Sequence, residues 1–528
     1  MKRRRKPTPE PWGKDVDAAL AAMKADELRD LLREMMLEIG DRALARVASS
    51  IVSRAARGSS GWVPEALDDS DVAEAVAFAE AAKRVGYAEP SDVDERLRRG
   101  AAAFLARDYA VAHRIFGALL RPIAEAEIDL GQHEMIDEVL GVDANECATQ
   151  YVVSAYMTSA PGRRAEAVRA AIDEVGTVGY FSEPIKAMER AAVEALPGLD
   201  DFLSAWRVIV EKEAAADRRG DWDIGAPRWL REVAKRIEGS GGLANVARSS
   251  KSAADLRAWC ETLVEAGDWK SALSAFEEAA DLVTDRGYAR AEFLDGAALA
   301  VRELGEKDVS PWLERAWRAE PTMLRLRRWV GSACNQQSIR ERSTDALNAC
   351  PTQALRQRAF LHLLRGEMEQ AAKLLAGASG LGWSSQEHPG HLLFPVFHAL
   401  LAGNRAFTLA EHGMDMGELE MPVSDRDEPR EWTPEVGEIL RNAGVDGLSD
   451  AKARKAVLAA MRRAAERRVA GVTEEKRRRH YGHAASLVAT CVACDASPEA
   501  SRWAARLREE YRRFSALRAE LDQHRRTA

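Results

Sequence analysis

The chain has 528 residues, is 46% hydrophobic and only 6% aromatic, and carries a formal net charge of -8 at pH 7. That length suits two to four domains or one extended array of repeats, and the dominance of Ala, Leu, Arg and Glu predicts an all-α protein. No apolar run approaches the roughly 20 residues that span a bilayer, and the opening MKRRRKPTPEPWGK has no apolar stretch behind it. Neither a membrane segment nor a secretory signal is expected, and six sparse cysteines (Cys147, Cys260, Cys334, Cys350, Cys491, Cys494) fit a reducing compartment, the cytoplasm.

The net charge conceals a strong asymmetry. Residues 1–15 hold 6 basic and 2 acidic side chains (+4), and residues 451–528 hold 19 and 9 (+10), leaving about -22 for residues 16–450. Within that middle, residues 404–450 hold 4 basic and 12 acidic residues. The acidic stretch is expected to lie across the basic one at low ionic strength.

Helical periodicity begins near Val16. In ADELRDLLREMMLEIG the residues Leu28, Leu31, Leu32, Met35, Met36 and Ile39 follow i, i+3, i+4 spacing, and Gly40 stands where a left-handed cap is expected. The stretch GSSGWVPEALDDS, from Gly58 to Ser70, breaks the pattern. Ser91 to Asp94 (SDVD) then reads as a helix N-cap with an acid three residues on.

Three later segments share one plan: ARDYAVAHRIFGALL, EAGDWKSALSAFEEAADLV and LRGEMEQAAKLLAGA. In each, a turn is followed by a bulky residue (Tyr109, Trp269, Met368), a small Ala three later (Ala112, Ala272, Ala371) and a large apolar residue four beyond (Phe116, Phe276, Leu375). Ala279, Ala316, Ala346 and Ala378 recur at intervals of 37, 30 and 32 residues, and Pro321 and Pro351 close two of the repeats. The plan resembles the second half of the tetratricopeptide repeat (TPR), although the first-helix pattern of that repeat is mostly missing. The resemblance implies stacked helix pairs in which the small Ala lets two helices approach. The expected fold is an all-α, TPR-like helical-repeat solenoid with an acidic insertion and a basic C-terminal helical pair. Its expected parts are a basic disordered tail (1–15), an N-terminal helical-repeat region (16–249), a TPR-like array (250–403), an acidic linker or insertion (404–450) with one short helix at TPEVGEILRNAGV, and a basic helical region (451–528).

The stretch RRHYGHAASLV, followed by SRWAARLREEYRRFSALRAELD, resembles the helical C-terminal part of bacterial proteins associated with the SWIM zinc finger. The finger itself, CxC followed by CxH, is absent, so its DNA-binding role does not carry over.

Two histidine sets test for chemistry. His388, His391 and His398 in GWSSQEHPGHLLFPVFHALLAG have HxxH-like content, but Pro389, Gly390 and Pro395 favour a turn and a helix start, with Trp383, Phe394 and Phe397 packing it down. His480, His483, Cys491 and Cys494 have Cys2His2 content, but one helix would separate the ends by about 21 Å, and only a break at Gly482 or after Thr490 would bring them together. Both sets are read as structural, and no catalytic, cofactor-binding or metal-binding residue is assigned. Phosphate-loop, dinucleotide, zincin and hydrolase-elbow motifs are absent. The expected function is a non-enzymatic scaffold binding a protein partner on a helical-repeat surface. The alternative is a nucleic-acid-associated protein using the basic C-terminal helices and the N-terminal tail.

Overall fold

The computed structural model describes residues 14–58, 62–65, 67–133, 135–217, 224–284, 286–306, 308–385, 387–403, 433–445, 447–448, 450–495 and 497–527. Nearly all of the basic tail and the greater part of the acidic stretch, residues 404–432, therefore lie outside the described residues. The protein is an all-α helical-repeat solenoid. Among the described residues there is no β-strand, and an isolated parallel bridge joins Tyr87 to Asp129.

The chain divides into two compact units, Met1–Val246 and Ala247–Ala528. The first contains α1 (Lys14–Ala22), α2 (Ala25–Glu38), α3 (Asp41–Arg57), α4 (Asp69–Val85), α5 (Pro90–Leu105), α6 (Tyr109–Ala124), α7 (Ala144–Thr158), α8 (Arg164–Val175), α9 (Pro184–Ala191), α10 (Leu199–Asp217) and most of α11 (Ala226–Ser250), which kinks at Gly239 (φ 62°). Consecutive helices pack on one another from α5 to α8. Their shared core holds Phe104, Phe116, Tyr151, Tyr156, Phe202 and Trp206.

The second unit runs through α12 (Ala253–Ala266), α13 (Trp269–Leu282), α14 (Gly287–Glu303), α15 (Ser310–Ala319), α16 (Met323–Gly331), α17 (Gln336–Ala349), α18 (Leu355–Leu364), α19 (Met368–Gly377) and α20 (Gly390–Leu401). It continues with α21 (Val436–Asn442), α22 (Ala451–Glu474), α23 (Tyr481–Cys494), α24 (Pro498–Glu510) and α25 (Ser515–Thr527). Consecutive helices pack from α12 to α19, and α19 also packs on α22. Trp317 and Trp329 stack with their ring centroids 5.2 Å apart in the core of this unit. The Trp317 indole N–H donates to Gln357 Oε1 at 2.8 Å, and Gln357 donates to the Pro321 carbonyl, so the buried polar groups are satisfied.

The three aligned segments share a turn as well as a spacing. A left-handed residue (Arg107, φ 67°; Gly267, φ 72°; Gly366, φ 76°) is followed by an acid (Asp108, Asp268, Glu367) at the N-terminus of α6, α13 and α19. Asp108 accepts from Val111 N–H at 3.1 Å and Asp268 from Ser271 N–H at 3.2 Å, which fastens the first turn of the second helix of each pair. Ala112, Ala272, Ala371, Ala279, Ala316 and Ala346 have no exposed surface at all. Gly296 on α14 leaves room for Phe276 of α13; a Cβ there would come within 2.4 Å of the ring. Ion pairs bridge neighbouring elements outside this core. Arg257 meets Glu292 through two contacts of 2.7 Å, and Arg325 Nε meets Asp295 at 2.7 Å.

Several local expectations are corrected. Gly40 is extended (φ -67°, ψ 156°) rather than left-handed, because α3 begins at the next residue and the chain must straighten between the two helices. Ser91 does not cap: α5 starts at Pro90, and Asp94 is drawn inward, where its carboxylate accepts from Gly141 N–H (2.7 Å) and Val142 N–H (3.0 Å). Pro395 lies inside α20 rather than in its first turn, since the helix already starts at Gly390. The basic stretch from residue 451, expected as two long helices, is four, because Lys476 turns the chain with φ 52° and further turns follow Cys494 and Glu510. The short helix expected in TPEVGEILRNAGV is α21.

Candidate functional site

The turn 378–389 in the second unit gathers much of the polar chemistry singled out in the sequence. Trp383, 3% exposed, is its hub. Its ring centroid lies 4.8 Å from His388, 6.2 Å from His391, 6.2 Å from Phe394 and 5.0 Å from His483 of α23. Residues from both histidine sets therefore converge on one tryptophan.

The His388 ring sits between the Ser379 carbonyl, 2.9 Å from Nε2, and the Gly390 N–H, 3.0 Å from Nδ1. This arrangement uses a neutral ring with Nε2 as donor and Nδ1 as acceptor. Arg356 of α18 holds the same turn by donating to the His388 carbonyl (3.2 Å) and the Ser385 carbonyl (2.6 Å). Gly390 is required by contact, for a Cβ would lie 2.7 Å from the Trp383 ring and 2.8 Å from His388. On the other side the turn presses on α22. A Cβ at Gly380 would fall 2.0 Å from the Arg467 carbonyl, and Arg467 donates to the Gly377 and Ala378 carbonyls at 2.8 and 2.9 Å.

Burial holds the cluster neutral. It lowers His388 below its ordinary value, takes His391 down to about 4 and takes His483 down to about 3, with nearby cations such as Arg356 and Arg468 adding to the effect. His398 is half-buried on α20, and His480 immediately precedes α23. Cys491 is buried and Cys494 half-buried; burial raises the Cys491 thiol and pushes Cys494 up to about 12, so neither is a thiolate near neutral pH. Among the described residues, no group of three or more His, Cys, Asp or Glu side chains is arranged to hold a metal ion. The geometry fastens α20, α22 and α23 around one turn. Arg468 and Arg356, which no motif singled out, are as much a part of it as the histidines.

The basic helices are partly neutralised from within. Arg508 forms a two-point pair with Asp522 (2.7 and 2.8 Å), Arg462 pairs with Asp495, Arg512 with Glu509 (2.7 Å) and Lys452 with Glu369 of α19 (2.7 Å).

At the start of the first unit the situation is reversed, with apolar groups left uncovered. No residue of α2 is buried, and Leu32, Met35 and Leu37 are 39%, 55% and 88% exposed. Val16 and Leu20 of α1 and Ile51 of α3 are also exposed. The helix itself is well started, since the Glu27 carboxylate accepts from Lys24 N–H at 2.7 Å. Its flanks are acidic, with Asp26, Glu27, Asp30, Glu34 and Glu38 against Arg29 and Arg33. Leu32 and Met35 stand one turn apart on the same side of the helix, while Leu37 projects from the other side.

Among the described residues, no helix is long and apolar enough to cross a membrane. No protein-family model matches the chain, and no curated protein matches it. Among solved structures it aligns with a circular tandem repeat protein described as having novel repeat topology and enhanced subunit contact surfaces. The two are 17% identical over 90% of this chain and 97% of that one, with a TM-score of 0.17. At that score the alignment carries no argument, and the helical-repeat assignment rests on the helix pairing described above.

Proposed function

We propose that the protein is a non-enzymatic scaffold that binds a protein partner on a helical-repeat surface, and that its repeats are of the TPR type. The observation that carries the binding role is the exposed pair Leu32 and Met35, one turn apart on α2, flanked by five acidic and two basic side chains. The partner is a protein segment that offers an apolar face with basic flanks, so that burial supplies affinity and charge supplies selectivity. Six unbridged cysteines fit a cytoplasmic setting. The internal pairing of Arg462, Arg508, Arg512 and Lys452 gives the nucleic-acid alternative no comparable support.

Quantitative affinity capture with the full chain and with a Leu32→Asp/Met35→Asp variant tests the proposal. Because both residues are exposed, the variant keeps its melting temperature. A partner retained by the parent and lost by the folded variant supports the role. Identical captured sets, or self-association as the only difference between the two, contradict it.

A further inference from the structure

One short stretch of the second unit is held by helices far from it in sequence. Helix α21 packs chiefly on α16 and α18, which also pack on each other. Its residues Val436, Ile439, Leu440 and Ala443 are at most 1% exposed and join the core that contains Trp329 and Phe360. Glu435, Arg441 and Asn442 are exposed. The buried positions follow i, i+3, i+4 and i+7, the spacing of an amphipathic helix laid into a groove.

Side chains of the repeat array grip both ends of the stretch. At its start the buried Arg327 of α16 donates from Nε and Nη2 to the Pro434 carbonyl at 2.9 and 2.7 Å, and Arg328 Nε donates to Thr433 Oγ1 at 2.9 Å. At its end Gln336 of α17 donates to the Ala443 carbonyl at 2.9 Å. Arg327 and Gln336 therefore read backbone carbonyls, which any segment following the same path would present. Gly331, the last residue of α16, leaves the space that the stretch fills: a Cβ there would come within 2.6 Å of the Pro434 ring and 3.1 Å of Ile439 Cδ1. Arg327 and Pro434 are 107 residues apart, as are Gln336 and Ala443. With seven residues, α21 is too short to hold a helix on its own, so its shape depends on the surface beneath it.

We propose that α16 and α18 form a peptide-binding groove in which residues 433–445 act as a tethered internal ligand. The partner that takes their place is a segment of another protein with apolar residues at i, i+3, i+4 and i+7 behind a proline. The apolar positions supply the affinity, Gly331 selects for the proline, and Arg327 and Gln336 fix the direction of the backbone. A tethered segment competes at an effective concentration of the order of millimolar. An outside segment therefore binds the intact chain more weakly than it binds a groove whose own ligand has been disabled. The groove belongs to the second unit and the α2 surface to the first, so either reading can fail without the other.

The test is fluorescence anisotropy with a labelled peptide of residues 433–445, TPEVGEILRNAGV, titrated with the full chain and with its Ile439→Asp variant. The variant is expected to bind the peptide at least about tenfold more tightly than the parent does. A peptide carrying the same Ile439→Asp change is expected to bind neither. Equal affinity for the two chains, no binding to the folded variant, or equal binding of both peptides overturns the proposal. Hydrogen exchange on the parent chain gives a second reading, which decides alone if Ile439→Asp fails to fold by circular dichroism. The amides of residues 439–445 are expected to exchange together and at least about tenfold faster than those of α16 and α18. Exchange of all three helices at one common rate makes α21 a fixed part of the core and overturns the proposal.

Discussion

The imidazole of His483 stands edge-on to the indole of Trp383, 5.0 Å between ring centroids, and so ties α23 to the turn before α20. The same burial that makes this contact dry sets how the unit responds to acid. His391 and His483 ordinarily titrate at 6.5 but are held at about 4 and about 3 in the folded chain. The unfolded chain takes up these protons first as pH falls, so the contribution is fully present above about 6.5 and lost as pH drops toward 4 for His391 and 3 for His483. The melting temperature of the parent is expected to fall more steeply between pH 6.5 and 4.5 than that of a His391→Gln/His483→Gln variant. Parallel pH profiles would contradict the assignment of buried neutral rings.

Ala272 lies fully buried on α13, in the helix pair whose turn is fastened by Asp268. Ala272→Trp is expected to overpack that contact and lower stability by about 1 to 3 kcal/mol. Gly296→Leu, which drives a side chain into the Phe276 ring, belongs to the same class. Denaturant unfolding measures both, and an unchanged midpoint in either would count against the helix pairing.

Asp94 in the first unit is 8% exposed and binds two backbone N–H groups of the segment before α7. Removing the carboxylate leaves Gly141 and Val142 N–H without this acceptor, so Asp94→Ala should cost about 3 kcal/mol. Asp92→Ala, two residues earlier and exposed, should cost about 0.5 kcal/mol or less. Equal losses would show that Asp94 does not anchor that segment.

The parts of the fold legible in the sequence were those set by spacing along one helix. Ala112, Ala272 and Ala371 could be placed at helix contacts because a small residue among large apolar ones at i+3 and i+4 has a geometric meaning by itself. The packing role of Trp383, Phe394 and Phe397 was legible because large apolar side chains flank a turn marked by Pro389 and Gly390. What could not be read was set by distant chain segments. His483 was grouped with Cys491 and Cys494, its neighbours in sequence, whereas its ring partner Trp383 comes from another helix connection. Arg468 looked like one more surface arginine because its burial depends on Gly380 passing close to α22. Ser91 had the composition of a cap, but Pro90 at the helix start and the pull of Gly141 and Val142 N–H on Asp94 outweighed that local preference. The breaks that make four helices of the C-terminal region include a left-handed Lys476, which composition does not mark as glycine would.

The central claim is that the exposed pair Leu32 and Met35 on α2 receives a protein partner, and site-specific photocrosslinking in cells tests it most directly. A photoreactive amino acid at Met35 is compared with one at Tyr288, a similarly exposed position (56%) on α14 of the second unit. A discrete adduct with another protein at position 35, absent from position 288 and lost when Leu32→Asp is added, is the result expected. No adduct at position 35, or the same adducts at both positions, would contradict the account.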